Sequence, residues 1–389
     1  MQAKKIRTKI GIIGGGQLAW MMGEPAQRLG LELIVQTPHA EDPAVAVAKK
    51  VVYAEVGDAI ATSALAAQCD VIGFENEFVD LPTLSLIPNQ ENLFRPSLQS
   101  LEPLLDKYNQ RCYLKKLGLP NPQFWLLEDA NQDNYNFSYP LVLKARRHGY
   151  DGQGTIVVRD KSQLITAWQS MGGGSVLVEE FIPFTKELAV IAARATTGEI
   201  RIYPILETQQ EDQVCRRVFA PAAVSQEVVL LAEKIITTIL ESAKVVGLFA
   251  VELFLTNTGE LLVNEIAPRT HNSGHLTIDA CPTSQFEQYL RSISEQPLGD
   301  VTLQTAGAVM VNLLGYAGIN DHEDYLGKKQ LLEQIPHSHF YWYGKSPRPG
   351  RKLGHITILI PDLIPEKTAQ EVQEKMQSIA HQVESIWYG

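Results

Sequence analysis

The residues of this chain best placed to do chemistry are carboxylates set in apolar runs. Glu252 and Glu265 lie in AVELFL and LLVNEIA, two segments joined by the turn-forming string TNTGE. Read as a hairpin turning at Asn257 and Thr258, this puts Glu252 opposite Val263, with Glu265 one pleat further along the same face. Two carboxylates with Asn264 beside them suit Mg²⁺, which takes oxygen ligands and completes its shell with water and phosphate oxygens. Mn²⁺ accepts the same donors. The plainer alternative is a pair of solvated glutamates, but the neighbours Val251, Leu253, Phe254, Leu261, Leu262 and Val263 argue against full exposure. Just downstream, APRTHNSGH brings Arg269, His271, Asn272 and His275 within seven residues, a set able to hold a small anion.

A second constellation is KARRHGYDGQG, residues 144–154. Gly149, Gly152 and Gly154 let backbone amides approach a phosphate chain, while Lys144, Arg146 and Arg147 bring positive charge. The string is not the G-x-x-x-x-G-K-[ST] loop, so a nucleotide would meet a loop between two strands instead. A glycine-rich hairpin with a solvated basic face is the alternative. In VLVEEFIPFTKELAV, Glu179 and Glu187 stand eight residues apart around a proline. A strand edge there can offer backbone hydrogen bonds to an adenine, and a carboxylate can meet ribose hydroxyls.

Near the start, GIIGGGQLA carries G-x-G-x-x-A after an apolar run. A dinucleotide site would also want an acidic residue ending the second strand. Gln36 and Thr37 stand there, which counts against NAD. A turn aiming helix amides at a single phosphate is one alternative, and a purely structural tight turn is another.

These residues need elements to position them. Strands are expected at 9–13, 31–35 and 70–74, the last ending in Glu75-Asn76-Glu77, with a helix between the first two. Strand, helix, strand with apolar cores describes a parallel open sheet. A helix from about Asp106 to Leu117 follows, stopped by Gly118 and Pro120. Strands over 140–145, 155–159 and 175–181 come next, then two longer strands divided by the turn at 196–199. A helix over about 226–243 precedes the carboxylate hairpin. The last ninety residues read as strands and loops around the basic segment KSPRPGRKLGH. A chain of 389 residues needs two or three packed domains. A net charge of -10 gives no general attraction to nucleic acid or anionic lipid. Four scattered cysteines form no disulfide or zinc pattern, and no apolar stretch reaches the roughly 20 residues of a membrane span. A cytoplasmic protein is expected.

Taken in order, these residues resemble the ATP-grasp superfamily across almost the whole chain. Four strings narrow the likeness: GGGQLAWMM, RRHGYDGQG, NEIAPRTHNSGH and RPGRKLGH. Together they are similar to the 5-carboxyaminoimidazole ribonucleotide synthases, and HNSGH and RPGRKLGH discriminate, since most ATP-grasp enzymes lack them. The resemblance implies a mixed α/β and α+β chain in three parts. These are a Rossmann-like domain over 1–104, an ATP-grasp domain over 105–298 with a lid at about 120–182, and a small β-rich domain over 299–389. It implies that ATP, bicarbonate and aminoimidazole ribonucleotide react through carboxyphosphate in purine biosynthesis. The products are the N-carboxylated ribonucleotide, ADP and phosphate, and the protein is expected to be a homodimer.

The resemblance also implies roles. Lys107 and Lys144 would contact ATP phosphates and the adenine edge, and Gly149, Tyr150, Asp151, Gly152, Gln153, Gly154 and Thr155 would cover the phosphates. Glu179, Glu180, Phe181 and Ile182 would hold adenine, Glu187 the ribose, and Glu252 with Glu265 the magnesium, Asn264 lying beside the nucleotide. Glu75, Tyr150, Asp151, Arg269, His271, Asn272, Lys345, Arg351 and Lys352 would form the ribonucleotide and bicarbonate side. Among them Arg269, His271 and Asn272 are the catalytic candidates. His148, Gln153 and Thr155 depart from the family's usual G-G-Y-D-G-[RK]-G-Q. Either Arg146 or Arg147 replaces the charge missing at 153, or the intermediate is held less tightly. The rival readings are a formate-using glycinamide ribonucleotide transformylase, a biotin carboxylase and an NAD-dependent oxidoreductase.

Overall fold

The computed structural model describes residues 8–131, 137–147, 149, 154–318, 325–361 and 369–389. Strands β1 (Lys9–Ile13), β2 (Glu32–Thr37), β3 (Lys50–Tyr53) and β4 (Val71–Phe74) form a parallel sheet in the order β3-β2-β1-β4. β1 and β4 are apolar along almost their whole length because both sheet faces are covered. The short, half-exposed β3 was not foreseen.

The helix Lys107–Lys116 starts at Asp106, whose carboxylate accepts from the amides of Tyr108 and Asn109. β5 (Phe124–Leu127), β6 (Leu141–Lys144), β7 (Thr155–Val158) and β8 (Val176–Glu180) form an antiparallel sheet ordered β5-β8-β6-β7. The helix Lys161–Ser170 backs this sheet, burying Leu164 and Ala167 with Leu141, Leu143 and Val178.

The remaining strands build one large sheet. They are β9 (Phe184–Arg194), β10 (Ile200–Ile202), β11 (Leu206–Glu211), β12 (Val214–Ala220), β13 (Gly247–Thr256), β14 (Leu261–Ala267), β15 (Gly307–Leu314), β16 (Ser338–Trp342) and β17 (Lys352–Ile360). Their order is β14-β13-β9-β11-β12-β15-β17-β16, with β10 paired to β9. The strands after residue 299 thus continue the sheet that carries the carboxylate hairpin. The helix Gln226–Ser242 is capped by Ser225 and packs Val228, Ala232, Ile235, Ile236 and Ile239 onto that sheet as one apolar stripe. The last ninety residues were read as strands and loops, but they end in a helix, Ala369–Tyr388. Val372, Met376, Ile379, Val383 and Trp387 bury its inner face against β15 and β17, each buried side chain contributing about 1.5–3 kcal/mol. Tyr289, on the helix Gln285–Ile293, ties the parallel sheet to the large one by accepting from the Phe74 amide at 2.7 Å. Among the described residues no helix is long and apolar enough to cross a membrane.

Candidate active site

The carboxylate hairpin differs from its expected register in a way that matters. β13 and β14 pair Glu252 with Glu265 and Leu253 with Val263, leaving Asn264 as an extra residue in β14. Glu252 therefore faces Glu265, where the sequence had suggested Val263. A β-bulge of this kind re-aims side chains. Here Glu252, Asn264 and Glu265 all line one cleft of about 1060 Å³. Asn264 Nδ2 donates to Glu252 Oε2 at 3.2 Å, and His271 Nε2 stands 3.3 Å from Glu252 Oε1. Burial alone would raise the Glu252 carboxyl, but the hydrogen bond and charge of His271, with Lys107 and Lys144, outweigh it and hold the group at about 2. Lys107 Nζ lies 2.5 Å from Glu265 Oε2.

The floor of the cleft is a buried charge network. Lys144, at the end of β6, donates to Glu179 Oε2 at 2.8 Å and to Asn264 Oδ1 at 3.0 Å. Arg111 takes the other oxygen of Glu179. Burial works to raise Glu179, yet Arg111 and Lys144 prevail and hold it at about 2. Its carboxylate is thus fully engaged by two cations. Above it, Glu180, Phe181 and Ile182 line the cleft beside Phe184 and Phe254, whose rings stack at 4.6 Å. Such an apolar shelf suits a flat base. Glu187, on β9, is pushed up to about 7 by burial and then by Glu252, against the pull of Lys144.

The opposite wall comes from the first sheet. Glu77, beyond β4, grips Arg269 with both oxygens, the second at 3.2 Å from Nη2. Glu75 turns back onto the glycine turn after β1, where the Gly16 amide hydrogen-bonds its carboxylate. Burial pushes Glu75 up to about 7, opposed by Arg269 and Lys345. The glycines are required because this packing is close. A Cβ on Gly15 would lie 2.5 Å from Thr37 Cβ, and one on Gly16 would lie 2.5 Å from Glu75 Oε1. The turn's Gly16 amide therefore meets the chain's own carboxylate in place of an external phosphate, and Gln36 is buried in hydrogen bonds to Glu55 and Thr62. Both features leave an NAD site without its acidic ribose partner or a free turn.

Other expected residues are distributed unevenly. His271, Asn272, Arg269 and Lys352 line the cleft, as do Gly149 and Thr155. Asn272 exchanges two hydrogen bonds with Asn312 of β15, at 3.1 and 2.8 Å. His275 is not at the cleft: it is fully buried against His355 and Phe286, and burial keeps it neutral. Lys345 donates to Gln17, and burial lowers it to about 8, with Arg351 and Lys352 adding to the effect. Arg351 sits beside it, donating to the Ser346 carbonyl at 3.1 Å. Arg146 is engaged by Asp106 at 2.8 Å and by Ser175, and the more exposed Arg147 stands 3.7 Å from the same Asp106 carboxylate. Tyr150, Asp151, Gly152 and Gln153 lie outside the described residues, as does His148. Arg111, Glu77, Asn312 and the Phe184–Phe254 pair were missed. Arg111 had a signal, since it follows Lys107 by four residues and so shares its helix face.

Comparison with known proteins agrees with this fold. Residues 7–102 match the ribonucleotide synthetase preATP-grasp domain, 112–286 the ATP-grasp domain, and 308–370 the phosphoribosylaminoimidazole carboxylase C-terminal domain. The N5-carboxyaminoimidazole ribonucleotide synthase of Synechocystis sp. is 50% identical over 391 residues, covering 98% of each chain. The carboxyaminoimidazole ribonucleotide synthase of Aspergillus clavatus, complexed with ATP, superposes with a TM-score of 0.88 at 31% identity, covering 98% of this chain and 99% of that one. A second A. clavatus structure, in complex with ADP and 5-aminoimidazole ribonucleotide, gives 0.86 at 29% identity, covering 97% and 99%. With this identity over nearly its full length and three matched regions in order, the chain belongs to the N5-carboxyaminoimidazole ribonucleotide synthase family of ATP-grasp ligases.

Proposed function

We propose that this protein uses ATP and bicarbonate to carboxylate the exocyclic amine of 5-aminoimidazole ribonucleotide, giving the N5-carboxylated ribonucleotide, ADP and phosphate. The observation that carries this reading is the single cleft itself. It brings Lys107, Lys144 and the facing carboxylates Glu252 and Glu265 into one space with Glu75, Arg269 and Lys352. Bicarbonate is a poor electrophile because its carbon bears no good leaving group. Attack of its oxygen on the γ-phosphorus forms carboxyphosphate, whose phosphate can leave as the amine nitrogen bonds to carbon. The chain's own work is to place the reactants and neutralise the charge spread over the transferring group.

On this reading Lys107 and Lys144 meet the phosphates, with Gly149, Gly154 and Thr155 at the edge of the covering loop. Glu180, Phe181 and Ile182 hold adenine with the stacked pair behind them, and Glu187 meets the ribose. Arg269, fixed by Glu77, holds the anionic intermediate, and His271 moves or shares a proton beside Glu252. Asn272 is braced by Asn312 next to them. Lys345, Arg351 and Lys352 take the ribonucleotide's phosphate. Mg²⁺, or Mn²⁺, fits Glu252 and Glu265: both are oxygen donors, and two carboxylates leave room for phosphate and water ligands. Such an ion, when bound, neutralises phosphate charge and aligns the phosphoryl group for transfer. The four-stranded sheet over 124–180 serves as the lid that keeps water from the intermediate. A cytoplasmic homodimer goes with this assignment, and sedimentation tests the assembly. The activity itself is tested by ADP release with each substrate omitted in turn. Full rate needs ATP, bicarbonate and aminoimidazole ribonucleotide; faster turnover with glycinamide ribonucleotide and formate, or with biotin, would overturn the assignment.

A further inference from the structure

The bulge that turns Asn264 and Glu265 toward Glu252 lies in β14, an edge strand of the large sheet. An edge strand has backbone groups with no neighbouring strand to satisfy them. Here side chains of the helix Lys107–Lys116 take that neighbour's place. Gln110 donates to the Ile266 carbonyl at 3.1 Å and accepts from its amide at 2.8 Å. Arg111 donates through Nη1 to the Val263 carbonyl and through Nη2 to the Asn264 carbonyl, both at 2.7 Å. Its Nε meets Glu179 of β8, and the side chain is only 3% exposed. One planar group thus binds both carbonyls of the bulge and a strand of the smaller sheet.

We infer that Arg111 is a positioning residue: it holds the Val263–Asn264 bulge in the shape that presents Glu265 and Asn264 to a metal–nucleotide ligand, and ties that shape to β8. The inference rests on the metal reading given above. Three features of guanidinium are used together, namely planarity, several fixed donors and permanent charge. A lysine has the charge but cannot span two carbonyls and a carboxylate in one plane. The ring closes through Glu179, Lys144 and Asn264, so the bulge is held from its backbone side by Arg111 and from its side-chain side by Lys144.

The test uses the full chain with Arg111→Lys and Arg111→Gln. ADP binding is measured by calorimetry with no divalent ion and across a Mg²⁺ titration, alongside KM for aminoimidazole ribonucleotide. In the wild type Mg²⁺ strengthens ADP binding; if it does not, the metal reading fails first and separately. In the variants the strengthening by Mg²⁺ is expected to shrink about tenfold or more, the usual effect of losing a partner that orients metal ligands. Metal-free ADP affinity and KM for the ribonucleotide change far less. An unchanged Mg²⁺ effect, or an equal loss in all three measurements, would overturn the proposal. If neither variant folds, Arg111 is a structural residue only, and the proposal is overturned as well.

Discussion

Glu75 sets burial against two cations, and the balance can be measured. Glu75→Gln keeps the side chain's shape and its acceptor for the Gly16 amide but removes the ionisation. In the folded protein the Glu75 carboxyl sits at about 7, against an ordinary value of 4.5. The folded value is the higher one, so the folded chain holds this proton more tightly than the unfolded chain does. The stability it contributes is complete below the ordinary value and is lost as pH rises through about 7. Integrating that linkage from about pH 5 to about pH 7.5 gives a loss of about 2 kcal/mol from Glu75 alone. Urea unfolding of wild type and variant at both pH values isolates it, because other titrating groups cancel in the double difference. The gap should shift by about 2 kcal/mol in favour of the variant on going to the higher pH. No shift, or a shift toward the wild type, would show that Arg269 and Lys345 keep Glu75 ionised despite its burial, and the reasoning would fail.

Glu265→Gln should fold normally but lower turnover about tenfold or more, roughly 1.4 kcal/mol of transition-state stabilisation, as read by ADP release at limiting Mg²⁺. Arg351→Ala should raise KM for aminoimidazole ribonucleotide about tenfold while leaving KM for ATP nearly unchanged, since a charge-assisted hydrogen bond contributes about 1.5–3 kcal/mol. Equal weakening for both substrates would point to a folding defect instead. Gly15→Ala drives a methyl group into Thr37 and should cost about 1–3 kcal/mol, visible as a lower urea midpoint.

Much of the site could be read from residue spacing, and the failures have physical reasons. The helices at 107–116 and 226–242 carry their own signals, an Asp106 or Ser225 cap, and the second adds an apolar stripe. The bulge at Asn264 has no such local signature. The adjacent polar pair Asn264-Glu265 interrupts the alternation of LLVNEIA, but which residue is the extra one shows only in the partner strand's register. β11 and β12 went unread for a related reason. Thr208, Gln209, Gln210 and Glu211 look like a loop, but their polar side chains line the cleft, where a strand need not be apolar. Glu77 was passed over because its importance depends on Arg269, 192 residues away. The C-terminal helix was missed although the signal was present: Val372, Met376, Ile379, Val383 and Trp387 keep the spacing of one helical face.

The single sheet that carries both Glu265 and Lys352 has a mechanical consequence. β14 and β17 are joined by an unbroken ladder through β13, β9, β11, β12 and β15. Backbone hydrogen bonds along that path resist bending, so the carboxylate pair and the basic segment behave as one rigid jaw. The antiparallel sheet β5-β8-β6-β7 shares no ladder with it and is attached through residues 117–123 and 181–183. Those two short connections are where a hinge can turn. Lys144 and Glu179 belong to that antiparallel sheet, whereas Arg111 and Asn264 lie on the helix Lys107–Lys116 and on β14. A turn at that hinge has to part the buried Glu179–Arg111 and Lys144–Asn264 contacts, so those two contacts are what couples the smaller sheet to the larger one.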